Sequence, residues 1–147
     1  MSDKVKKTED VKGSDAKTAQ SEAPARRKKG KRQVYKGQVH IQCTYNNTII
    51  TITDLNGAVL AWSSAGSLGF KGAKKSTPYA ASQVAGDVHE KVQKNGIKEL
   101  EVYVKGVGSG REASVRSLAG HGYEMTMIKD ITPIAHNGCR ARRPRRV

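Results

Sequence analysis

Large aromatic side chains are scarce in this chain, with one phenylalanine, one tryptophan and five tyrosines among 147 residues. That scarcity weighs against a surface that grips single strands by stacking successive bases on rings. Cysteine is scarcer still: Cys43 and Cys139 lie far apart and make no disulfide framework, which fits a reducing compartment. No apolar run approaches the ~18 residues of a membrane-spanning helix, and no basic amphipathic helix is visible that would lie on a membrane surface. The first 25 residues lack the apolar core of a secretory signal. They also carry Asp3, Glu9, Asp10, Asp15 and Glu22, too many acids for an organelle transit peptide. A cytoplasmic protein without membrane contact is expected.

Acids are few as well, 13 against 27 lysines and arginines, for a formal net charge of +14. Residues 1–25 hold five lysines and five acids, whereas the remaining 122 hold 22 basic residues and 8 acids. Self-repulsion on this scale disfavours a compact chain unless a polyanion relieves it. The densest charge is at the end, where five of the eight residues from Arg140 to Val147 are arginine. A guanidinium group meets phosphate with a bidentate geometry that lysine cannot match. Nucleic acid is therefore the partner to consider first.

Residues 1–25 contain almost no large apolar side chains; they cannot bury enough surface to offset their ordering entropy and are expected to be disordered. Arg26, Arg27, Lys28, Lys29, Lys31 and Arg32 then form a basic arm. From Gly37 the pattern changes. Val39, Ile41, Cys43 and Tyr45 alternate with polar residues, the period of a half-buried strand. Asn46-Asn47 marks a tight turn, β-branched Thr48 to Asp54 a second strand, and Asn56-Gly57 a hairpin into a third strand over Ala58 to Ser64. Gly66 to Lys75 is a glycine-spaced basic loop. Thr77 with Pro78 opens a helix whose apolar positions Ala81, Val84, Ala85, Val88 and Val92 recur at helical spacing, and Asn95-Gly96 stops it. Leu100, Val102 and Val104 alternate as a fourth strand. Ser109-Gly-Arg-Glu112 has the form of a capping box and leads a short helix to Gly120. Tyr123, Met125 and Met127 alternate as a fifth strand.

The expectation is a single α/β domain with a mixed five-stranded sheet in the order βββαβαβ, a ribonuclease-H-like arrangement. The last three strands should run mutually parallel because helical crossovers join them. The boundaries read as a disordered extension with its basic arm over 1–33, a globular domain over 34–134 and an arginine-rich tail over 135–147.

That arrangement raises a metal-dependent nuclease as the alternative. Such an enzyme needs carboxylates converging on two metal ions, yet Gln38 to Tyr45 contains no acid and the others are scattered. Gly108-Ser-Gly-Arg-Glu-Ala113, with Asp130 about 20 residues on, fits a relaxed dinucleotide fingerprint; only 17 residues follow Asp130, which leaves no second nucleotide-binding half. His40, Cys43, His136 and Cys139 have zinc-ligand chemistry, but residues three apart on a strand point to opposite faces. No cofactor, metal or small-molecule substrate is expected. What remains is a distribution of phosphate-seeking and hydrogen-bonding groups: the arm, Asn46 and Asn47, Lys71, Lys74 and Lys75, Arg111 and Arg116, Asn137, and Arg140, Arg142, Arg143, Arg145 and Arg146. With few aromatics, such groups suit the backbone and shape of folded RNA.

Several segments resemble a known family. Tyr45-Asn-Asn-Thr-Ile-Ile-Thr-Ile-Thr-Asp54, Gly69-Phe-Lys-Gly72, Lys75-Ser-Thr-Pro-Tyr-Ala-Ala81, Lys105-Gly-Val-Gly-Ser-Gly-Arg-Glu112 and Ile131-Thr-Pro-Ile-Ala-His-Asn-Gly-Cys-Arg140 are similar to the universal small-ribosomal-subunit protein eleven family in its bacterial form. The resemblance implies a structural, non-enzymatic protein that binds ribosomal RNA on the platform of the small subunit. It also implies a place near the messenger RNA exit path, with small-subunit proteins seven and eighteen as neighbours. On this resemblance Asn46, Asn47, Lys71, Lys74, Lys75, Arg111, Arg116 and the tail face RNA or those neighbours. The tail departs from the family pattern, with Ala141 and a later Pro144 where paired prolines usually follow the Cys-Arg.

Overall fold

The computed structural model describes residues 33–140, 142 and 143, so the extension expected to be disordered and its basic arm lie outside the described residues. The elements follow in the order β1 (Lys36–Cys43), β2 (Thr48–Asp54), β3 (Val59–Ser64), α1 (Pro78–Val92), β4 (Glu99–Lys105), α2 (Arg111–Gly120) and β5 (Glu124–Asp130). They form one α/β unit around a five-stranded mixed sheet ordered β3-β2-β1-β4-β5. β2 is antiparallel to both of its neighbours, whereas β1, β4 and β5 are parallel. β3, β4 and β5 thus share one direction as expected, and β4 lies beside β1.

Both helices pack on one face of the sheet. Val39, Ile41 and Cys43 of β1, Ile50 and Ile52 of β2, and Leu100, Val102 and Val104 of β4 join Ala80, Val84, Ala85, Val88 and Val92 of α1 and Leu118 of α2 in a single core. Period-two burial along the strands and helical spacing along α1 make that core possible. α1 begins where the chain chemistry places it: Thr77 Oγ1 accepts from the Ala80 N–H at 3.2 Å, with Pro78 in the first turn. It ends through a short 3-10 turn at Gly96, whose φ of 74° is left-handed. Near that end His89 stacks on His121 at 4.6 Å and its Nδ1 lies 2.9 Å from the Tyr123 hydroxyl. No element among the described residues covers the opposite face, and there His40 stacks on Tyr103 across β1 and β4 at 5.2 Å.

Four details differ from the sequence expectations. β1 ends at Cys43, and Tyr45 is 76% exposed, because Thr44 turns the chain: its N–H donates to Asn47 O at 2.9 Å and its hydroxyl accepts the Asn47 N–H at 3.1 Å. β3 starts at Val59. α2 has Gly110 as its N-cap with no side-chain cap, so there is no capping box; Ser109 Oγ instead donates to Ser76 O at 2.6 Å. The alternation of β5 breaks at a register shift opposite Leu100 and Glu101, which places Met125 and Met127 on opposite faces.

The glycines of the β4–α2 loop have a steric purpose. A Cβ at Gly106 (φ 100°) would lie 2.1 Å from Cys43 O, and one at Gly108 would lie 2.5 Å from Thr44 O. The loop therefore seats backbone against backbone on the end of β1, and Gly108 N donates to Cys43 O at 3.1 Å. Gly106→Ala should cost about 4 kcal/mol or more through combined overlap and strain. Gly57→Ala, at φ 80° with nothing within 4 Å, should cost only about 1–2 kcal/mol. Urea denaturation of both variants checks this; equal losses would show that the close approach does not constrain the fold.

Candidate nucleic-acid interface

The strand directions decide where the connections fall. β1, β4 and β5 are parallel and end together, with Gln42 beside Lys105 and Val104 beside Asp130. The β1–β2 turn, the β3–α1 loop, the β4–α2 loop and the departure of the tail therefore all lie at that one end of the sheet. In open α/β sheets this is the end at which ligands bind.

Local contacts lock these pieces together. The Ser109–Ser76 hydrogen bond joins the β4–α2 loop to the 3-10 helix Gly72–Ser76. A Cβ at Gly110 would fall 2.7 Å from Thr48 Oγ1 and 2.9 Å from Ala81 Cβ, so the start of α2 is pressed between β2 and α1. Asn46 is exposed at the turn tip, while Asn47 is half-buried and its Oδ1 has no hydrogen-bond partner among the described residues. Lys71 and Lys74 are exposed and Lys75 is half-buried, and none has an acidic partner among the described residues. Arg140, Arg142 and Arg143 are exposed on the chain that leaves this end, as is Asn137, whose φ of 56° is left-handed. Arg26, Arg27, Lys28, Lys29, Lys31, Arg32, Arg145 and Arg146 lie outside the described residues.

Arg111 is in a different situation from the lysines. Its guanidinium donates to Gly106 O and Asp130 Oδ2, and reaches Thr132 Oγ1 at 3.4 Å. Asp130 Oδ1 accepts the Thr132 hydroxyl at 2.6 Å and the Thr132 N–H at 2.8 Å. Thr132 Oγ1 in turn accepts the Gly106 N–H at 3.0 Å. The cluster ties the glycine loop, the start of α2 and the root of the tail into one unit. Arg116 stands apart, one turn along α2, beside Ile128 of β5.

Lys105 was not among the sequence candidates, yet it is exposed at the end of β4 between the turn and the tail root. Its signal was its place as the last residue of an alternating strand that precedes a glycine loop. The opposite end carries Lys36, Lys94 and Lys98 with Asp54, Glu99 and Glu124, three cations against three acids. Among the described residues charge is therefore polarised along the strands.

The enzyme-like constellations come apart. His40 stacks on the open face while Cys43 is buried in the helix-side core, where burial pushes its thiol pKa up. Asp87 pairs with Lys91, Glu101 with Lys36 and Asp130 with Arg111. Among the described residues no three of His, Cys, Asp and Glu are placed to hold a metal ion.

Comparison with known proteins gives the family. The family model described as ribosomal protein S11 matches residues 37–146, which takes in all of the sheet but Lys36, both helices and most of the tail. The chain belongs to that family. It is also 54% identical over 125 residues to proteins named small ribosomal subunit protein uS11 from two strains of Treponema pallidum, Nichols among them, an overlap of 85% of this chain and 99% of each relative. The family match thus includes both the polarised end and the tail that departs from it.

The clamp at the tail root is pH-dependent. The Thr132 hydroxyl, then Arg111, then the Thr132 N–H hold the Asp130 pKa at about 2, below the ~3.9 of a free aspartate. A carboxylate whose folded pKa is depressed contributes above its unfolded pKa, and the contribution fades as pH falls through the folded value. The Thr132 amide resonance, followed by NMR, should hold its position down to about pH 4 and shift with a midpoint near 2. A midpoint at an ordinary aspartate value would show that the clamp is not formed in solution.

Proposed function

We infer that this chain is a structural, non-enzymatic constituent of the small ribosomal subunit, in the cytoplasm, where it binds ribosomal RNA. The observation that carries this reading is the gathering of unpaired cations and amide side chains at the end of the sheet from which the basic tail departs. Lys71, Lys74, Lys75, Lys105, Arg140, Arg142 and Arg143 supply charge there, with no acidic partners among the described residues. Asn46, Asn47 and Asn137 supply neutral hydrogen-bonding groups to backbone or base edges. Arg111 acts as a positioning residue, because its own charge is already met by Asp130.

The binding mechanism is charge neutralisation around a rigid body. Cations on a preformed surface release counterions from the RNA backbone, and the clamp gives the tail a fixed point of departure. The finer assignments belong to the same reading. The sheet order fits a ribonuclease-H-like arrangement without nuclease chemistry. The chain divides into an extension over 1–33, a globular domain over 34–134 and a tail over 135–147. The protein sits on the platform near the messenger exit path, with small-subunit proteins seven and eighteen beside it. The arm from Arg26 to Arg32, Arg145 and Arg146 adds phosphate contacts to the same RNA, and Arg116 faces a neighbour.

Titrating the full chain against a platform ribosomal RNA fragment at increasing salt tests the reading. With about six to eight phosphates neutralised, log K should fall against log salt with a slope of roughly −5 to −7. Removing Arg140–Val147, which holds five arginines, should make the slope shallower by about 4 while the urea midpoint stays put. A full-chain slope shallower than about −2 would contradict the mechanism. Collapse of stability on truncation would show that the tail belongs to the core.

A further inference from the structure

The outer edge of β5 differs from the rest of this basic molecule. Among the described residues β5 pairs only with β4. The Ile131 N–H donates to Val104 O at 2.9 Å, and strand residues alternate the side to which their backbone groups point. Lys129 therefore turns its backbone groups toward β4 as Ile131 does, and Ile128 and Asp130 present theirs outward. An unpaired edge of this kind is a template for another strand, and proteins usually blunt it.

Apolar side chains are exposed along and just beyond this edge: Met127 on the open face, Ile128 on the helix side, then Ile131 and Ile134, at 40, 60, 40 and 78% exposure. Exposed apolar surface of this kind at a strand edge favours a partner. Beside it runs a groove of about 380 Å³ between α2 and β5, in which Val104, Val115 and Ile128 supply aliphatic side chains and Arg111, Glu112 and Arg116 the rim. Asp130 is already paired with Arg111, and neither Arg116 nor Lys129 has an ion-pair partner among the described residues. The groove therefore carries apolar surface with the cation of Arg116 at one side, while Glu112 keeps the rim as a whole near neutral and Lys129, opposite Tyr103, lies on the other face of the sheet.

We propose that β5 receives, as a sixth strand, an extended segment of a neighbouring protein with alternating apolar and acidic side chains. An apolar side chain of that segment enters the α2–β5 groove over Ile128, an acidic one meets Arg116, and the outward backbone groups of Ile128 and Asp130 supply the pairing. RNA is the poorer occupant, because the groove offers no ring for a base to stack on and phosphates would leave the aliphatic surface wet. A second copy is poorer too, because a self-complementary β5 pair would bring Lys129 and Arg116 of both copies into one small area. The proposal takes from the RNA-binding reading only that the neighbour is a small-subunit protein.

The test uses small subunits that carry the full chain with a photo-crosslinking side chain at position 128 or, separately, at position 74. Position 74 should join ribosomal RNA. Position 128 should join one protein segment of alternating apolar and acidic residues, and Arg116→Glu should lower that crosslink about tenfold. The amides of Ile128 and Asp130 should exchange at least about 100-fold more slowly in the subunit than in the free chain. Crosslinks from position 128 to RNA, to this chain itself or to a second copy would overturn the proposal, as would none at all with fast amide exchange. If position 74 misses RNA while position 128 still finds that segment, the RNA reading fails and the strand-addition proposal stands.

Discussion

Backbone lies on backbone where the β4–α2 loop meets the end of β1, and the arrangement of the binding end depends on that contact. No side chain fits at Gly106 or Gly108, so the loop sits as close to Cys43 and Thr44 as main-chain atoms allow. This closeness brings Gly110 against Thr48 and Ala81, sets the direction of α2 and puts Arg111 within reach of Asp130 and Thr132. Glycine spacing that looks like a phosphate cradle in the sequence is thus used to pack the chain against itself. The phosphate-seeking groups lie around that packed centre rather than in it.

The polarity of the molecule follows from strand direction. One antiparallel strand, β2, among four that run the other way places three connections and the tail at a single end, and Lys71, Lys74, Lys75 and Lys105, without acidic partners among the described residues, lie on or beside those connections. Without a partner, such a gathering of like charge is unfavourable, and the intramolecular pairs do not relieve it: Lys36–Glu101 and Lys91–Asp87 lie on the open face and on α1. The pair that does lie there, Arg111–Asp130, holds structure in place. On the proposed reading a ribosomal RNA backbone relieves the remaining repulsion, so binding and the cost of carrying the charge are one electrostatic balance.

Local chemistry made much of this legible. Thr77-Pro78, Asn56-Gly57, Asn95-Gly96 and the alternation through Val39, Ile41 and Cys43 each act within a few residues, and each lies in the structure where its chemistry puts it. The family was also readable, because its motifs are short contiguous strings. Features that depend on distant partners were not. Ser109 looks like a cap because its acceptor, Ser76 O, is 33 residues away. Tyr45 looks like a buried strand position because alternation continues past the point where the Thr44 hydroxyl turns the chain. The place of β4 beside β1, and hence of Lys105 beside the tail root, is a property of the whole sheet. Apart from Lys105, the candidate cations could be named from the sequence, but their gathering at one end could not.

The central claim is that, of the sheet's two ends, the loops carrying Lys71, Lys74, Lys75 and Lys105 lie against RNA, while Lys94 and Lys98 at the other end do not, whatever contacts the basic arm that precedes β1 makes. Lysine acetylation read by mass spectrometry tests it most directly, by comparing the free protein with the protein inside the small subunit. Lys71, Lys74, Lys75 and Lys105 should become unreactive in the subunit, while Lys94 and Lys98 at the far end keep most of their reactivity. Equal protection at both ends, or protection of Lys94 and Lys98 alone, would contradict the account.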